Sequence, residues 1–208
     1  KEKTNLKIKI KFLDILSKES ISKCFESIFQ EEGRIDILVN NAASFKGNKL
    51  EDISDEDWIF GIEGSINGVF RTTKIVAPLM EKNHYGSIIN ISSIYGLVSP
   101  DPSIYGKSGF DNPPNYGAGK AAIIQFSRFA AVHLAKKSIR VNSISPGSFP
   151  KPEVQKNKEF IKNLEEKIPL GRIGKPDELK GGIVFLASKA SEYVTGSNIV
   201  IDGGWTSW

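Results

Sequence analysis

A tyrosine and a lysine stand four residues apart in the segment NYGAGKAA, at Tyr116 and Lys120. Residues spaced i and i+4 lie on one face of an α-helix, so the phenol and the ammonium can act on the same reacting group. A free phenol has a pKa of about 10, and lowering it by about three units requires roughly 4 kcal/mol of preferential phenolate stabilisation. The charge of Lys120 is the right kind of source, so the pair predicts acid–base chemistry. A tyrosine and a lysine on an ordinary helix surface are the alternative, but Gly117 and Gly119 lower helix propensity without benefit to folding.

A pair of serines, Ser92 and Ser93, ends the apolar run GSIINIS ahead of this helix. Successive side chains of a strand point to opposite faces, so we expect one of the two to share the site of the tyrosine. Both could instead serve only to tie down the strand end. The loop from Pro100 to Pro114 follows, and its four prolines and two glycines predict a turn-rich lid beside the reacting group.

Strand and helix patterns alternate along the whole chain and must position these groups. Alternating apolar residues predict a strand from Leu6 to Phe12, and the next segment predicts an amphipathic helix that ends at Gly33. Ser54 is expected to cap a long helix that runs to about Met80. The other predicted strands are DILVNNAA, GSIINIS, IRVNSIS and NIVIDGG, and the other predicted helices are 116–137 and KPDELKGGIVFLAS. This alternation is typical of an α/β doubly wound parallel sheet, and we expect a single domain over residues 1–208.

Composition excludes several other classes of protein. The net charge of +4 comes from 28 basic and 24 acidic residues that form no run of five like charges, so we expect no nucleic-acid partner. Cys24 is the single cysteine and lies in an apolar row, which suits a buried side chain and a reducing cytoplasm. No apolar run has membrane-spanning length, and no signal peptide is recognisable, so we expect a cytoplasmic protein without membrane contact. His84 and His133 lack partners at ligand spacing, so we expect no metal site.

Five motifs in a fixed order give the chain a family resemblance. They are NNAA, INISS before YGAGK, IRVNSISPG, PLGRIGKPDEL and YVTGSNIVIDGG, and together they resemble the short-chain dehydrogenase/reductase family from about Leu6 to the C-terminus. The sequence is especially similar to those of bacterial flagellin-modification or surface-sugar dehydrogenases, which end in a comparable DGGWT stretch. The resemblance implies a Rossmann-like fold and hydride transfer between nicotinamide and a carbonyl or alcohol carbon.

The resemblance also implies a role for individual residues. Ser93 would hold the substrate carbonyl, Tyr116 would exchange the proton, and Lys120 would orient the nicotinamide ribose. A relay asparagine of the family is replaced by Ser65, although Asn67 lies two residues later and could take that role. With NAD or NADP as cofactor, the expected binding residues are Asp14, Ile15, Asn41, Ala42, Tyr116, Lys120, Pro146, Gly147 and Phe149. Lys151 stands where the family often has a threonine that holds the carboxamide.

The sequence lacks the glycine-rich first βα turn that binds a dinucleotide pyrophosphate in this fold. The glycines of GIEGSING are wrongly spaced and fall within a predicted helix, and DPSIYGKS matches a phosphate loop only at its end. We therefore expect residues 1–208 to begin at the third strand of the fold, with the N-terminal βαβα portion in a segment that precedes them. The evidence that would separate NAD from NADP lies in the same portion.

The polar loop 100–114 suggests a small, sugar-like substrate, and the family resemblance suggests a homo-oligomer, either a dimer or a tetramer. Two alternatives stay open. The 23 residues between Ser93 and Tyr116 approach the spacing of extended-type sugar-nucleotide epimerases and dehydratases, although the chain closes soon after its last helix. A non-catalytic scaffold of the same fold is the other alternative, but a scaffold has no need for Ser93, Tyr116 and Lys120.

Overall fold

The computed structural model describes residues 8–208. Within these residues, four parallel strands form one sheet in the order β1-β2-β3-β4: Ile37–Asn40, Gly86–Ile91, Ile139–Pro146 and Asn198–Ile201. The same part of the chain has six α-helices: α1 (Lys18–Glu32), α2 (Asp55–Ile62), α3 (Gly68–Glu81), α4 (Pro114–Leu134), α5 (Lys158–Lys167) and α6 (Lys180–Ala187). The predicted α/β parallel sheet is confirmed. The assignment of residues 1–208 to one domain stays a prediction.

Alternation along the central strands explains why both faces of the sheet are covered. Ile88 on β2 packs with residues of α1, α3 and α4, while its neighbour Ile89 packs with Leu186 of α6 on the opposite face. Both isoleucines have no exposed surface. Because successive side chains enter opposite cores, a strand of this kind needs apolar side chains on both faces, as Ile88 and Ile89 provide.

The helix boundaries follow local capping chemistry. The Ser17 hydroxyl accepts a hydrogen bond from the Ser20 amide (3.1 Å) at the start of α1, and Gly33 ends that helix in the left-handed conformation, with φ of 73°. Ser54 caps α2 in the same way, through the Asp57 amide at 3.1 Å. Both the predicted end at Gly33 and the predicted cap at Ser54 are confirmed.

The strand predicted from Leu6 to Phe12 is wrong within the described residues. Residues 8–13 have no strand structure, and Ile8, Ile10 and Phe12 are 87%, 94% and 84% exposed. Leu6 lies outside the described residues. An alternating pattern makes a strand only where a neighbouring strand supplies hydrogen bonds, and no strand within residues 8–208 lies beside this segment.

Two helix predictions need correction, and one helix was not predicted. The helix predicted from Ser54 to Met80 is interrupted by one π-helical turn, Glu63–Asn67, between α2 and α3. The helix predicted over 116–137 begins at Pro114 and ends at Leu134, because proline at the first helical position fits the helix without loss. The lysine-rich α5 was not predicted. Only Phe160 and Leu164 of α5 are buried, which leaves a weak apolar pattern.

No helix within residues 8–208 is long and apolar enough to cross a membrane.

Candidate active site

The predicted catalytic residues meet where β2 ends and α4 begins. The Ser92 hydroxyl donates to the Lys120 carbonyl (2.7 Å), which ties the strand end to the helix. Ser93 is 6% exposed, accepts a hydrogen bond from the Tyr95 amide (3.2 Å), and its hydroxyl contacts the Tyr116 phenol. The structure therefore brings together Ser93, Tyr116 and Lys120.

Close approach of the backbones explains part of the local sequence. A Cβ on Gly96 would lie 2.7 Å from the carbonyl carbon of Lys120, so the turn after the serines packs directly on α4. Asn115 lies just before Tyr116 and donates to the carbonyls of Lys46 (2.9 Å) and Asp57 (2.8 Å). These contacts fix the first turn of α4 against α2 and against the segment that follows β1.

Lys120 is a buried ammonium within this site. The residue is 5% exposed, and its Nζ donates to the Ile91 carbonyl at 2.8 Å. Burial lowers the pKa of Lys120 to about 8, because an ammonium loses hydration inside the protein. The rings of Phe45 and Tyr116 lie 5.8 and 5.7 Å from Nζ, which places the charge over two aromatic faces.

The pKa of Tyr116 in the protein alone is governed by burial. Burial raises this pKa above its ordinary value, and the contact with the Ser93 hydroxyl lowers it by a smaller amount. The expected lowering relies on the charge of Lys120 together with the positive nicotinamide ring, so it stays a prediction for the protein with its cofactor. The phenol ring is held between Phe45, at a centroid distance of 4.6 Å, and Tyr95, at 6.5 Å.

Ser65 lies within the π-helical turn and is 1% exposed. Its hydroxyl donates to the Gly61 carbonyl (2.6 Å) and is covered by Gly119, where an added Cβ would lie 2.3 Å from the Ser65 oxygen. The nearby Asn67 side chain donates to Glu63 instead (2.6 Å). The relay role of Ser65 stays a prediction, and in this arrangement the hydroxyl shapes the helix beneath α4. Single π-turns often occur at functional sites.

The predicted cofactor residues lie along the carboxyl edge of the sheet and at the start of α1. Asn41 and Ala42 are exposed directly after β1, and Pro146 ends β3. The Gly147 amide donates to the Ile201 carbonyl (2.9 Å), and Phe149 packs against the Gly174 backbone.

Asp14 and Ile15, which are also expected to bind the cofactor, lie just before α1. The Asp14 amide donates to the Ser20 hydroxyl (2.9 Å), and Ile15 packs against Gly68 at the start of α3. The role of these cofactor residues stays a prediction.

The N–H groups of the Lys120 ammonium suit the hydroxyl groups of a nicotinamide ribose. Within the described part of the chain, the ammonium donates one hydrogen bond, to Ile91, although it carries three N–H groups. A buried donor without a partner is costly, so a hydroxyl-bearing ligand at this position would stabilise the site. The residues present therefore fit the nicotinamide half of a dinucleotide.

A large cavity opens beside these residues. Its volume is about 1260 Å³, and it lies between segment 47–52 and the loop 95–114, with Gly117 of α4 on its wall. Sequence reasoning placed the loop here, with Tyr105 among its hydrogen-bonding groups, but missed two contributors to the site. Phe45 carried no signal, and Asn115 was visible only as a polar residue at a helix start.

No group of three or more potential metal-ligating side chains occurs within residues 8–208.

The sheet is parallel, carries helices on both faces, and has a tyrosine and a lysine at its carboxyl edge. This combination defines an α/β dehydrogenase-type protein. The family model described as enoyl-(acyl carrier protein) reductase matches residues 2–206. The chain is 41% identical over 193 residues to the 3-oxoacyl-[acyl-carrier-protein] reductase FabG of Thermotoga maritima, covering 92% of this chain and 74% of the relative. It is 34% identical over 198 residues to the cyclopentanol dehydrogenase of Comamonas testosteroni, covering 94% and 75%.

Solved structures agree with these relatives. A short-chain dehydrogenase from Leptospira borgpetersenii with bound NAD+ matches with a TM-score of 0.84 and 37% identity, over 93% of this chain and 73% of that one. ElxO with bound NADP matches with a TM-score of 0.83 and 30% identity, over 94% and 77%. The chain belongs to the short-chain dehydrogenase/reductase family, and it is an NAD(P)-dependent oxidoreductase.

Proposed function

We propose that this oxidoreductase interconverts a hydroxyl and a carbonyl group on a small, sugar-like substrate, with NAD or NADP as cofactor. The observation that carries the proposal is the meeting of Ser93, Tyr116 and Lys120 beside a cavity of about 1260 Å³ that their chain neighbours Tyr95 and Gly117 line. Such a volume has room for a small molecule that carries several polar groups.

Each of the three residues has a defined task in this reaction. Ser93 holds the substrate oxygen by a hydrogen bond, and Tyr116 gives its phenolic proton to that oxygen in reduction or takes the proton in oxidation. Lys120 orients the ribose with its free N–H groups and carries a positive charge beside the phenol. A nicotinamide held by these residues would supply the hydride in reduction or accept it in oxidation.

Two observations support the sugar-like substrate. The cavity wall offers hydrogen-bonding side chains from the loop 95–114, among them Ser99, Tyr105, Asp111 and Asn112. The opposite wall adds Asn48, Lys49, Glu51 and Asp52. A wall of this composition favours a ligand with several hydroxyl groups, because the polar side chains of the wall would otherwise lose hydration on binding without gaining hydrogen bonds.

A second substrate class is favoured by the relatives and by the apolar part of the wall. Leu50, Leu97, Val98 and Phe110 also line the cavity, and they would suit the chain of a 3-oxoacyl thioester. The two classes are separated by comparing kcat/KM for a panel of neutral monosaccharides with kcat/KM for acetoacetyl-CoA. A clear preference for the thioester would reject the sugar-like substrate.

The test of the catalytic assignment is Tyr116→Phe, which removes the exchangeable proton and keeps the ring between Phe45 and Tyr95. We expect kcat to fall by roughly 10²- to 10⁴-fold, the usual contribution of general acid–base catalysis. The matched control is Tyr193→Phe, the same change on a fully exposed side chain. A Tyr116→Phe protein that keeps half the wild-type rate would reject the assignment.

We also propose that the protein is a homo-oligomer, a dimer or a tetramer. Phe129 and Val132 on α4 are 65% and 82% exposed, and Phe70 on α3 is 45% exposed, so these helices present apolar surface that a second copy would cover. Light scattering of wild type and of Phe129→Glu tests this, since a monomeric wild type would contradict it. The buried, free Cys24 suits the cytoplasm that we propose as its location.

A further inference from the structure

The loop 97–113 is fastened to α5 rather than left free above the cavity. Ile104 has no exposed surface, and its carbonyl accepts a hydrogen bond from Asn163 of α5 at 3.1 Å. Asp101 forms an ion pair with Lys167 at the end of the same helix, at 2.9 Å. These two contacts hold the segment that leads directly into Tyr105.

Tyr105 is one of the side chains that this attachment places on the cavity wall. Its ring stacks on Phe160 of α5, with centroids 5.9 Å apart and planes 15° apart. Tyr95 and Asn112 flank it on the same wall. The Tyr95 ring lies on the same wall as Tyr105, and its centroid is 6.5 Å from that of Tyr116, so Tyr105 lies near the predicted catalytic phenol.

The hydrogen bonds of Tyr105 leave one direction open. Its oxygen accepts a hydrogen bond from Asn112 Nδ2 at 2.7 Å. A phenol oxygen that accepts a hydrogen bond turns its own proton away from that donor. Within residues 8–208, Tyr105 donates no hydrogen bond, so this proton is available to a ligand in the cavity.

We propose that Tyr105 is a specificity-determining residue, whose hydroxyl donates a hydrogen bond to a substrate oxygen other than the one on the reacting carbon. The substrate is therefore a molecule with at least two oxygen functions, such as a polyol or a hydroxyketone. This inference rests on the proposed function, because it assumes that the cavity beside Tyr116 holds the substrate.

The experiment compares two small alcohols that differ by one hydroxyl, cyclohexanol and trans-cyclohexane-1,2-diol, as substrates for NAD(P)+-dependent oxidation. We expect wild type to show a kcat/KM roughly tenfold higher for the diol, the effect of one well-placed hydrogen bond. Tyr105→Phe keeps the ring on Phe160 and removes the donor, so its kcat/KM for the diol should fall several-fold more than its kcat/KM for cyclohexanol, and most of the preference should be lost. Tyr193→Phe is the matched control and should keep the preference.

The outcomes separate this inference from the proposed function. If wild type treats both alcohols alike, the hydroxyl-rich substrate is rejected, and the inference falls with it. If wild type prefers the diol and Tyr105→Phe keeps that preference, Tyr105 is not the donor and the proposed function stands. Equal losses for both alcohols in Tyr105→Phe would show a general structural role and would overturn the inference as well.

Discussion

Replacing Lys120 with methionine should stabilise the protein while it abolishes activity. Lys120 is 5% exposed, and burial lowers its pKa from 10.5 to about 8. That lowering corresponds to roughly 3 kcal/mol of cost for keeping the ammonium charged in the folded state at neutral pH. Methionine has a similar length and no charge, so Lys120→Met removes this cost.

The gain is reduced by the hydrogen bond that the substitution deletes. The Lys120 ammonium donates to the Ile91 carbonyl at 2.8 Å, a contact of about 1 kcal/mol. The net expectation is a free energy of unfolding about 2 kcal/mol higher at pH 7, or a Tm about 5 °C higher for a chain of this size.

The pH dependence distinguishes a relieved charge from better packing. Between about pH 8 and pH 10.5, the unfolded wild type keeps the Lys120 proton while the folded state loses it, so the unfolded state binds more protons and wild-type stability rises with pH. The penalty is fully present below pH 8, and the advantage of Lys120→Met should disappear by about pH 10.

Urea unfolding of the cofactor-free protein at pH 7 and pH 10 measures this difference. Lys162→Met is the matched control, because its side chain is 76% exposed and should give no pH-dependent difference. A Lys120→Met protein that is less stable than wild type at pH 7, or a gain that is the same at both pH values, would refute the reasoning.

Three further predictions concern the site. Replacing residues 101–112 with a short Gly/Ser linker should lower kcat/KM strongly at unchanged oligomer size, since contacts at the reacting centre are lost. Unchanged kinetics with a broken oligomer would reject the role of this loop as a substrate lid. Phe45→Leu should lower kcat roughly tenfold, because the ring that packs on Tyr116 and faces the Lys120 ammonium is gone, and an unchanged kcat would show that Phe45 is only a spacer. Between pH 6 and pH 8, kcat/KM for alcohol oxidation should rise with pH, while that for carbonyl reduction should not, since burial keeps Tyr116 protonated; a flat oxidation profile would contradict this.

Local patterns were enough to predict most of the sheet and the centre of the site. The apolar run at Ile88 and Ile89 predicts a strand covered on both faces, and it forms the middle of the sheet. The spacing of Tyr116 and Lys120 depends only on helix geometry, so their shared face could be read without knowing what packs around them.

Features that depend on distant partners could not be predicted. The alternation of Ile8, Ile10 and Phe12 is a true local pattern, yet no strand within residues 8–208 pairs with it. Phe45 packs on Tyr116 across 71 residues of sequence, and nothing near Phe45 in the chain indicates that contact. Such contacts are set by the topology of the sheet, which brings the ends of β1 and β2 together.

Burial favours the uncharged form of both Tyr116 and Lys120, and the charges in the sequence cannot show this effect. It disfavours the ammonium of Lys120 and the phenolate of Tyr116, so the uncharged form of each is favoured relative to water. In the resting protein at pH 7, Tyr116 therefore carries the proton that a carbonyl oxygen needs on reduction. Oxidation must first remove that proton, and the positive charge of a bound NAD(P)+ would lower the cost of doing so. The protein alone is thus prepared for carbonyl reduction, and the reverse reaction depends on charge that the ligand brings.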